Sequence, residues 1–159
     1  LSQRVLSLIF KNCSGVMPAL PATAAPEDSA LLDAADAMLG KVRAHMDVQS
    51  FHEALRCIWE VVSDANKYVD TTAPWGLKKT DPVRMGEVLA VLAETIRQAA
   101  ILVQPVMPGS ASKILDQLGV ADGQRGFDAL AGAGRIAAKV EISKPEPVFP
   151  RFVEEEGEV

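Results

Sequence analysis

The sequence predicts an all-α fold, a bundle of about five helices followed by an extended C-terminal arm. Three observations carry that prediction. Apolar residues recur at helical spacing over long stretches, as Phe51, Leu55, Ile58, Val62, Ala65 and Val69 and again as Met85, Leu89, Leu92, Ile96, Ala99 and Val103. Helix punctuation brackets the stretches: Asp81-Pro82 pairs an acceptor side chain with a proline whose missing N–H costs nothing at a helix start. Finally, Pro145, Pro147 and Pro150 keep the end of the chain out of any helix.

Each element follows in order. Leu1, Val5, Leu8 and Ile9 form an apolar stripe that begins with neither a methionine nor a cap, so the first helix reads as cut short and the chain as a fragment of a longer one. Gly15, Pro18, Pro21 and Pro26 break the segment from Asn12 to Pro26 into a loop. Glu27 and Asp28 open a second helix, which turns Leu32, Ala35, Leu39, Val42 and Met46 inward, and its early acids and later Lys41 and Arg43 suit the helix dipole. Ser50 and Glu53 have capping-box spacing for a third helix that runs to about Val69. The fourth spans Pro82 to Val103, before Pro105 and Pro108 force a turn. Ser110 is placed to cap a short fifth helix ending near Leu118 and closed by Gly119. Lys139 to Ile142 alternates like a short strand or extended segment.

Bulk properties narrow the function. With 48% hydrophobic and 23% charged residues in 159, the chain forms one globular domain rather than a disordered segment. No apolar run reaches bilayer-crossing length, and the N-terminus lacks the basic-then-apolar pattern of an export signal, so a cytoplasmic location without a membrane partner is expected. Cys13 and Cys57 form no metal-ligand spacing with each other or with His45 and His52, so no metal site is expected and both read as free thiols, Cys57 as a small core residue. The two histidines read as surface or interface residues. The net charge of −5 argues against a free-standing nucleic-acid binder. Setting aside Glu154, Glu155, Glu156 and Glu158, a solvated acidic tail, brings the balance to −1. A near-neutral body suits a module that reads a few bases while another part of a larger enzyme grips the backbone.

The chemistry concentrates at the corner between the third and fourth helices, where the chain reads N-K-Y-V-D-T-T-A-P-W-G-L-K-K-T-D from Asn66 to Asp81. Trp75 should sit in a short turn whose direction Pro74 fixes, with Lys78, Lys79 and Arg84 within reach. A flat ring on a basic corner is equipment for stacking an unpaired nucleotide. On composition alone, the same tryptophan reads as a plug at the end of a helical core.

Asn66, Tyr68, Val69, Asp70, Ala73-Pro74-Trp75, Leu77, Lys79 and Asp81 resemble the signature of the anticodon-binding domain of bacterial-type methionyl-tRNA synthetases. Leu1-Ser2-Gln3-Arg4-Val5 resembles the start of that domain, Ile101 to Leu118 its later helices, and Lys144 to Arg151 its closing segment. The resemblance implies the helix bundle of the class I synthetase anticodon-binding type over residues 1–142, with a Pro-rich and acidic tail over 143–159. It implies that Trp75 stacks on the first anticodon base, a cytosine. Stacking does not separate cytosine from uracil, so hydrogen bonds to the base edge must. Arg4 falls on the arginine of the family's N-x-x-x-R element, whose asparagine would lie one residue before Leu1.

Around that core, Asn66 and Tyr68 read equally as anticodon contacts or as capping and packing residues. Lys78, Lys79 and Arg84 are candidate phosphate contacts or simply a solvated surface, Asp70 a brace for the turn, and Trp59 a core residue. Lys144 to Arg151 resembles the linker that runs back toward the catalytic domain. No catalytic residue is expected here: the chain has no Gly-rich phosphate loop, no H-x-G-H element and no K-M-S-K-S loop. The resemblance implies a module that recognises the CAU anticodon of tRNA(Met) for a longer methionine–tRNA ligase, whose catalytic domain would use ATP and Mg. The alternatives are a helical protein-interaction module, or the anticodon domain of a sister enzyme for isoleucine, leucine, valine or cysteine.

Overall fold

The computed structural model describes residues 1–130 and 134–150, and these form an all-α bundle. Seven α-helices follow one another: α1 (Ser2–Asn12), α2 (Pro26–Asp36), α3 (Met38–Asp47), α4 (Phe51–Thr72), α5 (Pro74–Thr80), α6 (Pro82–Val103) and α7 (Pro108–Gln117). Two 3-10 turns, Asp122–Gln124 and Phe127–Leu130, follow α7. The helices outnumber those expected from the sequence for two reasons. The second predicted helix is interrupted at Ala37 because α2 lies on α6 and α4 while α3 leans chiefly on α4, and one straight rod cannot serve both. The corner around Trp75, expected as a turn, is the short helix α5, started by Pro74 at its first position.

The central element is α6. Every residue from Val88 to Val103 is buried, whereas the sequence showed only one apolar stripe. Helices α1, α2, α4, α5 and α7 pack around it, so all of its faces are inside, as the abundance of Val, Leu, Ile and Ala on every side of it allows. It starts as predicted: the Asp81 side chain accepts the Arg84 backbone N–H at 2.9 Å. The expected capping box on α4 is absent. Ser50 makes no side-chain cap, and Glu53 instead pairs with Arg56 and His52 on the exposed face.

Four polar side chains enter the core with α6. Glu94, fully buried, accepts both Nε and Nη2 of Arg97 (2.8 and 2.9 Å), the Gln98 amide (2.9 Å) and the backbone N–H of Ile136 (2.8 Å). Asp36, at the end of α2, accepts Gln98 (2.8 Å) and both terminal nitrogens of Arg135 (2.7 and 2.6 Å). Thr95 donates back to the Val91 carbonyl at 3.0 Å. The network pins Arg135 and Ile136 to the bundle, and no buried side-chain nitrogen or oxygen among the described residues lacks a partner.

The C-terminal arm is held by its backbone. Lys139 donates to Met17 O, Met17 to Val140 O and Ile142 to Gly15 O, each at 2.8 Å, so the alternating segment is extended and pairs with the loop after α1. Gly119 closes α7 at φ +71°, and a Cβ there would meet Val140 Cγ1 at 2.6 Å, so the site takes only glycine. Further on, the Gln117 amide and the Glu146 backbone exchange bonds of 3.1 and 3.0 Å. Arg151 and the acidic run lie outside the described residues.

Cys57 is buried, as expected, but Trp59 is not a core residue: it is 53% exposed. The buried stripe of α4 runs through Ala54, Cys57, Ile58, Val61, Ala65, Tyr68 and Val69, and position 59 lies off it. Its indole forms a wall between two open apolar grooves of about 440 and 320 Å³, both also lined by Val103 and Met107. Met46 and Phe51, at the ends of their stripes, are exposed as well. Trp59→Ala is therefore expected to cost about 1 kcal/mol or less, as for surface positions. Leu89→Ala, a truncation inside the fully buried helix, should cost about 2–5 kcal/mol. Urea denaturation of both variants checks the contrast.

Candidate nucleic-acid interface

The corner is built by a helix that ends hard and restarts at once. Thr71 and Thr72 donate their hydroxyls back to the carbonyls of Lys67 (2.9 Å) and Tyr68 (2.7 Å) in the last turn of α4. Ala73 then takes a left-handed conformation, φ 43° and ψ 59°, which is unfavourable for a residue with a Cβ. Pro74 follows as the buried first residue of α5, and the Gly76 N–H bonds to Ala73 O at 2.8 Å. This reversal turns the Trp75 side chain outward, where it is 51% exposed, while Leu77 of the same helix packs on the core. Lys78 and Lys79 occupy the exposed last turn of α5.

The remaining sequence candidates separate into two groups. Arg4, on the exposed side of α1, reaches Asp70 near the end of α4, with Nη1 to Oδ1 at 3.2 Å, so Asp70 braces α1 rather than the turn. Both partners are largely solvated, so the pair contributes little to stability and opens at small cost. Asn66 is half-buried; its amide N–H donates to Val62 O at 2.9 Å, and its Oδ1 accepts no bond among the described residues.

Tyr68 and Arg84 sit differently. The Tyr68 ring is buried, and its hydroxyl donates to Asp28 Oδ1 at 2.6 Å. Arg84 grips the same carboxylate through both terminal nitrogens, Nη1 to Oδ2 at 2.6 Å and Nη2 to Oδ1 at 2.7 Å, and also donates to Glu27 at 3.1 Å. Such a fork-to-fork pair is among the strongest side-chain hydrogen bonds. Their donors are thus committed to the protein, whereas the sequence reading allowed them as ligand contacts.

The sequence marks Asp28 only as part of a helix start. It does accept the Ala25 backbone N–H at 3.3 Å, but its side chain is fully buried and joins three helices. Burial alone would favour the protonated acid. The bonds from Arg84 and Tyr68 outweigh it and hold the carboxyl below its ordinary range. Burial and the adjacent carboxylate push the Tyr68 phenol well above its ordinary value, and the Asp28 bonds raise Arg84 further. At neutral pH the cluster is one anion, one cation and one neutral phenol.

The family described as the anticodon-binding domain of methionyl-tRNA ligase matches residues 18–159. The chain belongs to that family. Anticodon-binding domains of this kind are carried by longer enzymes. The methionine–tRNA ligase of Rhizobium meliloti is 47% identical over 157 residues, which is 99% of this chain and 30% of the relative. That of Brucella suis is 48% identical over 97% of this chain and again 30% of its own length. Two solved structures of Mycobacterium tuberculosis methionyl-tRNA synthetase superpose on this anticodon-binding domain with a TM-score of 0.90. The apo enzyme is 43% identical over 97% of this chain and 31% of its own, and the complex with methionyl-adenylate 45% over 94% and 30%. The chain thus spans about 30% of the length of the relatives it matches. The match sets aside the sister-enzyme alternative and bears out the class I anticodon-binding fold.

The pH response follows from the cluster. The folded pKa of Asp28 lies below its unfolded value of about 3.9, so the unfolded state binds more protons in the window between them. The carboxylate's contribution is complete above that window and lost as pH falls through the folded value. The stability gap between wild type and Asp28→Asn should therefore be widest near neutrality and narrow as pH falls below the unfolded value, measured by urea denaturation from pH 7 to pH 3. A gap independent of pH would contradict the assignment.

Proposed function

We propose that this chain reads the CAU anticodon of tRNA(Met) for a methionine–tRNA ligase. The observation that carries the reading is Trp75, a half-exposed indole on the short helix α5 beside Lys78 and Lys79 in a chain of this family. In this reading the first anticodon base stacks on Trp75, at about 1–3 kcal/mol. Arg4 supplies donors to the base edge once released from Asp70, and Asn66 offers its uncommitted Oδ1. Lys78 and Lys79 neutralise phosphates. Tyr68 and Arg84 serve as framework rather than contacts.

The ligase itself would join methionine to tRNA at the expense of ATP, with Mg²⁺, in a catalytic portion outside this chain. The part played by residues 1–142 is positional: it holds the anticodon so that the acceptor end reaches the active site. In this reading the segment from Lys144 onward, with its likeness to the family's linker, leads back to that portion. The grooves beside Trp59 support such a partner, because a soluble monomer rarely leaves a contiguous apolar face of this kind uncovered. A cytoplasmic location belongs to the same reading, and among the described residues no helix is long and apolar enough to cross a membrane.

Fluorescence titration with a CAU anticodon stem-loop and a matched UAU control tests it. Trp75→Ala is expected to lower CAU affinity roughly 5- to 150-fold while leaving the helical circular dichroism unchanged. Binding should weaken steeply with added salt, as contacts to phosphate require. Equal affinity for CAU and UAU, together with no loss in Trp75→Ala, would overturn the reading.

A further inference from the structure

Only Pro74 and Leu77 anchor α5 to the bundle from within, and neither alone fixes the direction of the Trp75 indole. The helix has seven residues, below the length at which an isolated helix is stable. It hangs from Ala73, held in a left-handed conformation that has to be imposed from outside. Its orientation therefore depends, beyond the packing of Pro74 and Leu77, on the angle and spacing between the end of α4 and the start of α6. One group spans that gap: Asp28 of α2 takes the hydroxyl of Tyr68, less than two turns before Ala73, and the guanidinium of Arg84, in the first turn of α6. Both helices that flank the corner are tied to a single carboxylate buried beneath it.

We infer that Asp28 is a positioning residue for anticodon reading: with Tyr68 and Arg84 it holds the α4–α5–α6 corner in the one geometry that presents the Trp75 ring to a base. The inference rests on the stacking role of Trp75 proposed above. Asp28 touches no ligand, so its whole effect on binding passes through the corner. Removing the tie leaves α5 held at its ends and by Leu77 but lets the flanking helices shift, and a shifting indole forfeits the pre-organisation that makes a single stacked base worth much.

A double-mutant cycle on the 159-residue chain separates this role from general stabilisation. Affinity for the CAU stem-loop is measured for wild type, Asp28→Asn, Trp75→Ala and the double variant. The temperature is set well below every melting transition, with helical content checked by circular dichroism. Asp28→Asn is expected to weaken binding roughly tenfold. The double variant should bind like Trp75→Ala alone, because once the ring is gone its placement no longer matters. In a Trp59→Phe background, where Trp75 is the sole tryptophan, Asp28→Asn should also raise the acrylamide quenching of the indole before any RNA is added.

If Asp28→Asn does not fold, Tyr68→Phe, which removes one of the two ties, takes its place in the same cycle with a smaller loss in the same direction. Wild-type affinity in the folded Asp28 or Tyr68 variant, or a loss that adds in full to that of Trp75→Ala, overturns the positioning role and leaves the stacking reading intact. If Trp75→Ala itself binds like wild type, the stacking reading fails and this inference fails with it.

Discussion

Enclosure of α6 on all sides is the constraint from which the rest of the structure follows. A helix buried over its whole surface from Val88 onward must have every polar group it carries answered by a neighbour, since the interior offers no water to do so. Glu94, Arg97 and Gln98 are answered by each other, by Asp36 and Arg135, and by the backbone of Ile136. That network is why the segment after the second 3-10 turn returns to the bundle. At the other end, where α6 emerges, Arg84 is answered by Asp28 and Glu27 of α2. The same demand for partners therefore shapes both the arm and the frame beneath the Trp75 corner.

The corner itself divides its residues by exposure. Tyr68 and Arg84 face inward and meet a carboxylate; Trp75, Lys78 and Lys79 face outward on a helix too short to stand alone. This arrangement makes physical sense for a surface that must recognise a flexible single-stranded loop. In the proposed reading, the side chains that would meet the ligand keep their donors and faces uncommitted, while the strong, buried bonds lie one layer below. The Arg4–Asp70 pair lies between the two regimes: it is specific enough to orient Arg4, yet solvated enough to be exchanged for a ligand.

Much of the fold was legible in the sequence because its signals are local. The stripes of α4 and α6, the Asp81-Pro82 start, the Gly119 closure and the proline-rich arm each depend on residues within a turn or two of one another. The outward Trp75 was legible too, through Ala73-Pro74-Trp75 and its neighbours. What could not be read were pairings over long separations. Nothing near Asp28 announces that its partners lie at positions 68 and 84, and Glu94 and Arg97 look like an ordinary exposed pair until α6 is seen to have no exposed face. Trp59 misled in the opposite sense: apolar neighbours suggested burial, although its place one step off the stripe at Ile58 was already visible. Ser50 and Glu53 had the spacing of a capping box, but Arg56, one turn further along, claims the glutamate.

The two tryptophans lie on different faces, one at the reading corner and one between the apolar grooves, so they report separately on what each face does. The most direct measurement is a two-dimensional ¹H–¹⁵N spectrum of the indole N–H signals during titration with a CAU stem-loop. The account requires the Trp75 signal to shift progressively with added RNA while that of Trp59 stays in place. A titration that moves Trp59 and leaves Trp75 untouched would place the nucleic acid on the wrong face and contradict it.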